Sequence, residues 1–179
     1  RWLQGWLRDE VGCRNVHWIP NGATPLRGSR ERGRELLGLA TDQPVVGFVG
    51  SMKPWHGVGR LPAIAAALDA KLALIGPMDS PLQGAVCTGH LGPQDLADAV
   101  AALDIGLAPY PADAPPWFCP LKILDYRAQG TPVIATDVGE CAHLVGSTGG
   151  AVVRPDSDSA LIEAARQWLG KRTDRQVRS

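Results

Sequence analysis

Two short stretches of this chain place anion-handling side chains between turn residues. In GSMKPWHG, residues 50–57, Lys53 and His56 stand on a loop framed by Gly50 and Gly57, which let backbone approach a ligand closely. The loop leads into a helical segment, whose N-terminus favours negative charge through unpaired amides and aligned dipoles. A phosphate or diphosphate suits this combination. The plainer alternative leaves Lys53 solvated and His56 capping the turn or packed on Trp55. In PLKILDYRAQG, residues 120–130, a proline opens a second helix whose first amides, from about Leu121 to Ile123, are again available to an anion. Leu121, Lys122 and Asp125 share one face of that helix. A carboxylate such as Asp125 accepts but does not donate, and its two oxygens match a vicinal diol such as ribose. Here the plainer alternative is an ordinary surface pair between Lys122 and Asp125, worth about 0.2–0.5 kcal/mol.

The elements that must hold these loops read as an alternation of strands and helices. Apolar runs bounded by turn residues predict strands at 45–50, 72–75, 86–89, 105–109, 132–136 and 151–154. Helical patterns lie between and after them at 59–70, 93–103, 121–129, 140–145 and 157–169. Ahead of this alternation come a helix over 1–11 with Trp2, Leu3, Trp6, Leu7 and Val11 on one face, a short strand at 15–19, and a charged surface helix over 27–39. Strands alternating with helices make a Rossmann-like α/β layer, a parallel sheet with helices on both faces. In such sheets ligands lie outside the carboxyl ends of the strands, where both stretches fall. The segment PYPADAPPWFCP, residues 109–120, is a stiff aromatic loop of the kind that forms binding walls. The polar tail, residues 171–179, is expected to fray.

The 179 residues suit a single domain with a real core. Lys plus Arg equals Asp plus Glu at 18 each, so no global field attracts nucleic acid, and any anion must be held locally. Cys13, Cys87, Cys119 and Cys141 are scattered, which argues against a zinc clasp and for a reducing compartment. No apolar run is long enough to span a bilayer. The 50–57 loop lacks the Gly-Lys-Ser/Thr ending of a Walker A loop, and no Gly-x-Gly-x-x-Gly follows a strand, which disfavours a dehydrogenase.

Taken together and in order, VHWIPNGAT, VVGFVGSMKPWHGV, LALIGP with TGHLGPQDLADAVAALDIGLAPYP, and PLKILDYRAQGTPVIATDVGE resemble the C-terminal, donor-binding half of retaining GT-B glycosyltransferases of family 4. The resemblance covers nearly the whole chain. It implies one nucleotide-sugar-binding domain over residues 1–179, with an acceptor-binding domain preceding it in the full protein. It puts the donor diphosphate between the 50–57 loop and the helix that starts at Leu121, near Gly50, Ser51, Phe118 and Lys122, with Lys53 or His56 offsetting its charge. Asp125 stands where the family has a ribose-binding Glu, and the base would lie against Leu91. Trp117 occupies the position of the acidic residue that grips the transferred sugar, with Asp113 as a stand-in for it. Ser51 replaces the loop arginine that many members carry, and His56 replaces a lysine.

The chemistry so implied is displacement of a nucleoside diphosphate from an anomeric carbon with retention, the growing leaving-group charge being stabilised by preorganised cations and helix donors. Neither a metal nor a cofactor is implied. The acceptor, a sugar, lipid or small molecule, would be held by the other domain, so the isolated chain is expected to bind nucleotide but transfer nothing. The expected location is cytoplasmic, with peripheral attachment at the inner membrane open for the full protein. Two rivals stand beside this reading: a nucleotide-binding or regulatory module of the same fold without transferase activity, and part of a GT-B nucleotide-sugar epimerase.

Overall fold

The computed structural model describes residues 2–23, 25–115 and 117–177, with side chains up to Lys171. Its centre is a six-stranded sheet in which every neighbouring strand pair is parallel. The strands are β1 (Val45–Val49), β2 (Lys71–Ile75), β3 (Val86–Cys87), β4 (Ile105–Ala108), β5 (Val133–Thr136) and β6 (Gly150–Val153). Their spatial order, β3-β2-β1-β4-β5-β6, is the doubly wound Rossmann arrangement. Strand β1 sits at the middle, and all five of its residues are buried, which explains its uninterrupted apolar sequence.

Among the described residues, seven helices accompany the sheet: α1 (Trp2–Asp9), α2 (Arg30–Leu36), α3 (Leu61–Ala67), α4 (Pro93–Ala102), α5 (Lys122–Ala128), α6 (Cys141–Val145) and α7 (Asp158–Val177). Alternating strand residues feed two separate cores. Val45, Val49, Ala108, Val133 and Ala135 pack against Ala99 and Val100 of α4, Ile123 and Tyr126 of α5, and Val145 of α6. Val46, Phe48, Leu107 and Ile134 face the other way, onto Leu61 and Ile64 of α3 and Leu161 and Ala165 of α7. The sheet is thus covered on both sides, as the alternation of elements predicts. No described helix is long and apolar enough to cross a membrane.

Two expectations change. Residues 15–19 are not a strand, and Ile19 is exposed. Instead the Val16 carbonyl accepts from Gln4 and Arg8, both at 2.9 Å, so the segment is tied to α1 rather than to the sheet. Helix α7 runs to Val177; the tail expected to fray over residues 171–179 lies largely beyond the described side chains, and Arg178 and Ser179 lie outside the described residues. Helix α2 is not simply a charged surface helix. Its Arg34 is buried and donates to Asp104 at 3.0 Å and to the carbonyls of Ala40 and Gln43, while Arg30 reaches the other Asp104 oxygen at 2.8 Å.

The Asp104 carboxylate also accepts the Val45 amide at 2.8 Å, so one buried acid joins α2 to the start of β1. Removing one partner of a buried ion pair strands the other charge in a low dielectric. Asp104→Ala is therefore expected to cost about 3 kcal/mol or more in urea unfolding. A loss below about 1 kcal/mol would show the network to be solvated.

Candidate functional site

Strands β1 and β4 are neighbours, but their chains leave in opposite directions. After β1 the chain turns to α3 on one face, whereas after β4 it runs to α5 on the other. This divergence opens a crevice at the carboxyl ends of the two strands, where doubly wound folds bind their ligands. Residues 50–57 form one wall of it and residues 109–121 the other.

The two walls touch. Gly57 has φ of +72°, and a Cβ there would lie 1.9 Å from the Pro109 carbonyl oxygen, so only glycine fits. Two 3-10 turns, Pro54–His56 and Val58–Arg60, carry the chain from this loop into α3. Behind the contact lies Lys122, the first residue of α5. Its side chain is not on the surface but runs inward beside Gly50, with Nζ donating to the Tyr110 hydroxyl at 2.6 Å. The same ammonium lies 4.5 Å from the centre of the Phe48 ring and 4.9 Å from that of Tyr110. Among the described residues no carboxylate comes within ion-pair distance of it, which removes the surface-pair alternative for Lys122 and Asp125.

The electrostatics follow from that burial. Loss of hydration pulls the Lys122 pKa down to about 8, with Cys141 and Asp125 opposing the fall. His56 is pushed below its ordinary value, first by burial and further by the Lys122 charge, against a hydrogen bond to the Ser51 carbonyl. That bond, 2.7 Å from Nδ1, fixes the tautomer: a carbonyl only accepts, so Nδ1 carries the proton. Burial favours the neutral imidazole, in which Nε2 is left as an acceptor. Its ring stands edge-on to Trp55 and Tyr110, with Phe118 at 6.4 Å. Tyr110 and Phe118 form a close edge pair at 4.6 Å.

A second compartment opens on the far side of α5. It is a cleft of about 300 Å³ lined by Leu26, His90, Leu91, Leu96, Asp125 and Gln129, among others. Gln129 fastens its outer wall, donating to the Leu26 carbonyl and accepting the Gly28 amide, both at 2.8 Å. Asp125 is partly buried here; desolvation raises its pKa, and Lys122 partly offsets the rise. Leu91 and Asp125, separated by more than thirty residues in sequence, thus meet on one cleft.

The structure therefore brings Gly50, Ser51, His56, Phe118 and Lys122 together at the crevice and Leu91 with Asp125 in the adjoining cleft. Lys53 is exposed on the rim. Trp117 is 56% exposed and leans on Trp2 of α1, 5.4 Å between ring centres, and Asp113 is exposed. Leu121 is exposed too, and the helix-start amides are fewer than expected, because Ile123 donates to Pro120 at 3.1 Å. Sequence reading missed Phe48 and Tyr110, the walls around Lys122. Tyr110 left a signal, being an aromatic residue two positions past the end of β4. Among the described residues, no group of three or more His, Cys, Asp or Glu is placed to hold a metal ion.

The profile of the family described as glycosyl transferases group 1 matches residues 43–171, well over half of the chain. The chain belongs to that family. A teichuronic acid biosynthesis glycosyltransferase, TuaC of Bacillus subtilis, is 30% identical over 78% of the chain and 36% of its own length. A GDP-mannose-dependent alpha-mannosyltransferase of Mycolicibacterium smegmatis is 36% identical over 58% of the chain and 28% of its own length. The chain thus spans only about a third of the curated relatives it matches. Among solved structures, sucrose-phosphate synthase from Thermosynechococcus elongatus superposes with a TM-score of 0.78 at 23% identity, covering 96% of this chain and 48% of that one. HepE of Anabaena, solved with UDP and glucose, gives 0.71 at 21% identity over 87% of this chain and 47% of that one. The fold is accordingly one half of a GT-B glycosyltransferase.

For this group 1 domain a buried ammonium without a carboxylate is a cost to stability in the absence of ligand. Lys122→Met keeps the apolar stem and removes the charge. It should stabilise the free chain by roughly 1–3 kcal/mol, the scale of the pKa depression. Thermal unfolding checks this, and a lower Tm for the variant would show that the Tyr110 contact outweighs desolvation.

Proposed function

We propose that the domain binds a nucleotide-diphospho-sugar, with the diphosphate against Lys122 and the Gly50 turn, the ribose on Asp125 and the base against Leu91. One observation carries this reading: an ammonium buried among aromatic rings beside a glycine turn, with no carboxylate at ion-pair distance among the described residues, at the switch point of the sheet. An anion completes that arrangement. Group 1 membership, and neighbours of the same fold solved with UDP, support the choice of anion.

In transfer, negative charge accumulates on the departing diphosphate, and Lys122 is already in place to stabilise it without rearranging solvent. His56 in its neutral form, with Nε2 unprotonated, serves the site as a polar wall rather than as a fixed cation. Lys53 extends from the rim over the exposed side of the phosphates. Acidic help for the sugar does not come from Trp117, whose ring packs on α1, so hydroxyl recognition falls to the backbone of the 109–121 loop and Ser51. Transfer with retention at the anomeric carbon is part of this proposal. The acceptor belongs to the portion of the protein beyond this chain, since relatives are more than twice as long. The four free cysteines fit a cytoplasmic setting.

Calorimetric titration with UDP, GDP and ADP tests the reading. Lys122→Met and Asp125→Ala should each weaken the preferred nucleotide by about 1.5–3 kcal/mol, the range for a charged hydrogen bond. Absence of heat with all three at millimolar concentration, the chain remaining folded, would defeat it.

Affinity should also follow the Lys122 charge. Protonated lysine attracts the diphosphate, so affinity is fullest below pH 7 and declines as pH rises through about 8, where the free amine forms. Lys122→Met should flatten that decline. A slope unchanged in the variant would assign the titration to another group.

A further inference from the structure

Strand pairing in this sheet stops early at one place. The β1–β2 ladder runs through five residue pairs to Val49 and Ile75, and the β4–β5 ladder reaches Ala108 and Ala135. Between β1 and β4 the register ends at Gly47 and Gly106. At the next step the Tyr126 hydroxyl from α5 stands between the strands. It accepts the Val49 amide at 2.9 Å and faces the carbonyls of Leu107 at 3.2 Å and Gly47 at 3.4 Å. Two hydrogen bonds in series thus replace the single bond that a ladder would make, and the strands are held apart where the crevice begins. Tyr126 is fully buried, and the surrounding sequence makes room for it. A Cβ on Gly106 would lie 2.5–2.6 Å from its ring atoms.

We propose that the Tyr126 hydroxyl is a positioning residue for the donor site, a wedge that keeps β1 and β4 parted so that Gly50 and Lys122 meet the diphosphate. The inference rests on the nucleotide-sugar reading above. Val49, which Tyr126 holds, immediately precedes Gly50. Lys122 lies four residues before Tyr126, on the same face of α5, so one side chain references both walls to one another. Without the wedge, the Val49 amide would seek a carbonyl of β4 directly, drawing the strands toward ladder spacing and closing Gly50 onto the 109–110 turn. Burial also raises the phenol pKa far above its ordinary value, so the hydroxyl keeps the proton it donates across the working range.

Tyr126→Phe deletes only the hydroxyl. A matched control is Thr131→Val, which removes another buried hydroxyl bond, to the Val100 carbonyl at 2.9 Å, at the amino end of β5 and away from the crevice. Three readouts are taken on both variants: thermal unfolding, exchange of the Val49 amide proton by NMR, and UDP affinity by calorimetry. The proposal expects both variants to fold and both to lose some Tm. Only Tyr126→Phe should speed Val49 exchange by tenfold or more and weaken UDP by about tenfold, whereas Thr131→Val binds UDP as the unmodified chain does. UDP affinity within twofold of the unmodified chain in Tyr126→Phe, or an equal loss in Thr131→Val, would reduce Tyr126 to a stability role. Unchanged Val49 exchange would remove the wedge itself. Failure of the unmodified chain to bind UDP, GDP or ADP would instead remove the donor reading beneath it.

Discussion

The ammonium of Lys122 is the interaction around which the domain is arranged. Few soluble proteins bury a lysine without a carboxylate, because desolvation of the charge is only partly returned by neutral partners. Here one hydroxyl and two aromatic faces supply that partial return, each worth on the order of 1 kcal/mol. The shortfall is the useful part. A site whose cation is already dehydrated and fixed has less to lose when an anion arrives, so binding energy goes into the contact rather than into ordering a lysine.

Holding such a charge requires rigid surroundings, and these come from the crossing of chain directions at β1 and β4. Phe48 reaches the site from β1, Tyr110 from the end of β4, and Lys122 from the helix that follows. None of these three is near another in sequence by more than the turn between Tyr110 and Lys122. Their convergence is a property of the sheet order, and it is maintained remotely. Thr136 on β5 donates to the Tyr110 carbonyl at 2.8 Å, and the Glu140 amide donates to the Phe118 carbonyl at 3.0 Å. The wall opposite the glycine loop is therefore fastened to β5 and the start of α6 rather than left as a free loop.

Much of the architecture was readable before any coordinates, and the reasons are physical. Strands β1, β2, β4 and β5 are buried almost throughout, so their sequences are near-continuous apolar runs, whereas the edge strand β6 is half-buried. Residues 15–19 looked similar, but a strand also needs a neighbour with an open edge, which a sequence does not display. Arg30 and Arg34 of α2 read as surface charge because their partner, Asp104, lies about seventy residues onward. The same limit explains the site. Glycines, a lysine and an aspartate at strand-to-helix turns pointed to the carboxyl end of the sheet, where Lys122 and Asp125 lie. That Lys122 is enclosed, that Tyr110 and Phe48 enclose it, and that Tyr126 props the strands depend on packing between segments far apart in the chain.

The meeting of Gly57 with the Pro109 carbonyl carries a consequence for motion. Since no side chain separates them, the two rims are in direct backbone contact and cannot slide past each other without a clash. Breathing at the crevice must then be a swing of both rims in unison, or none at all. The crevice floor is thus a stiff element of the domain rather than a hinge.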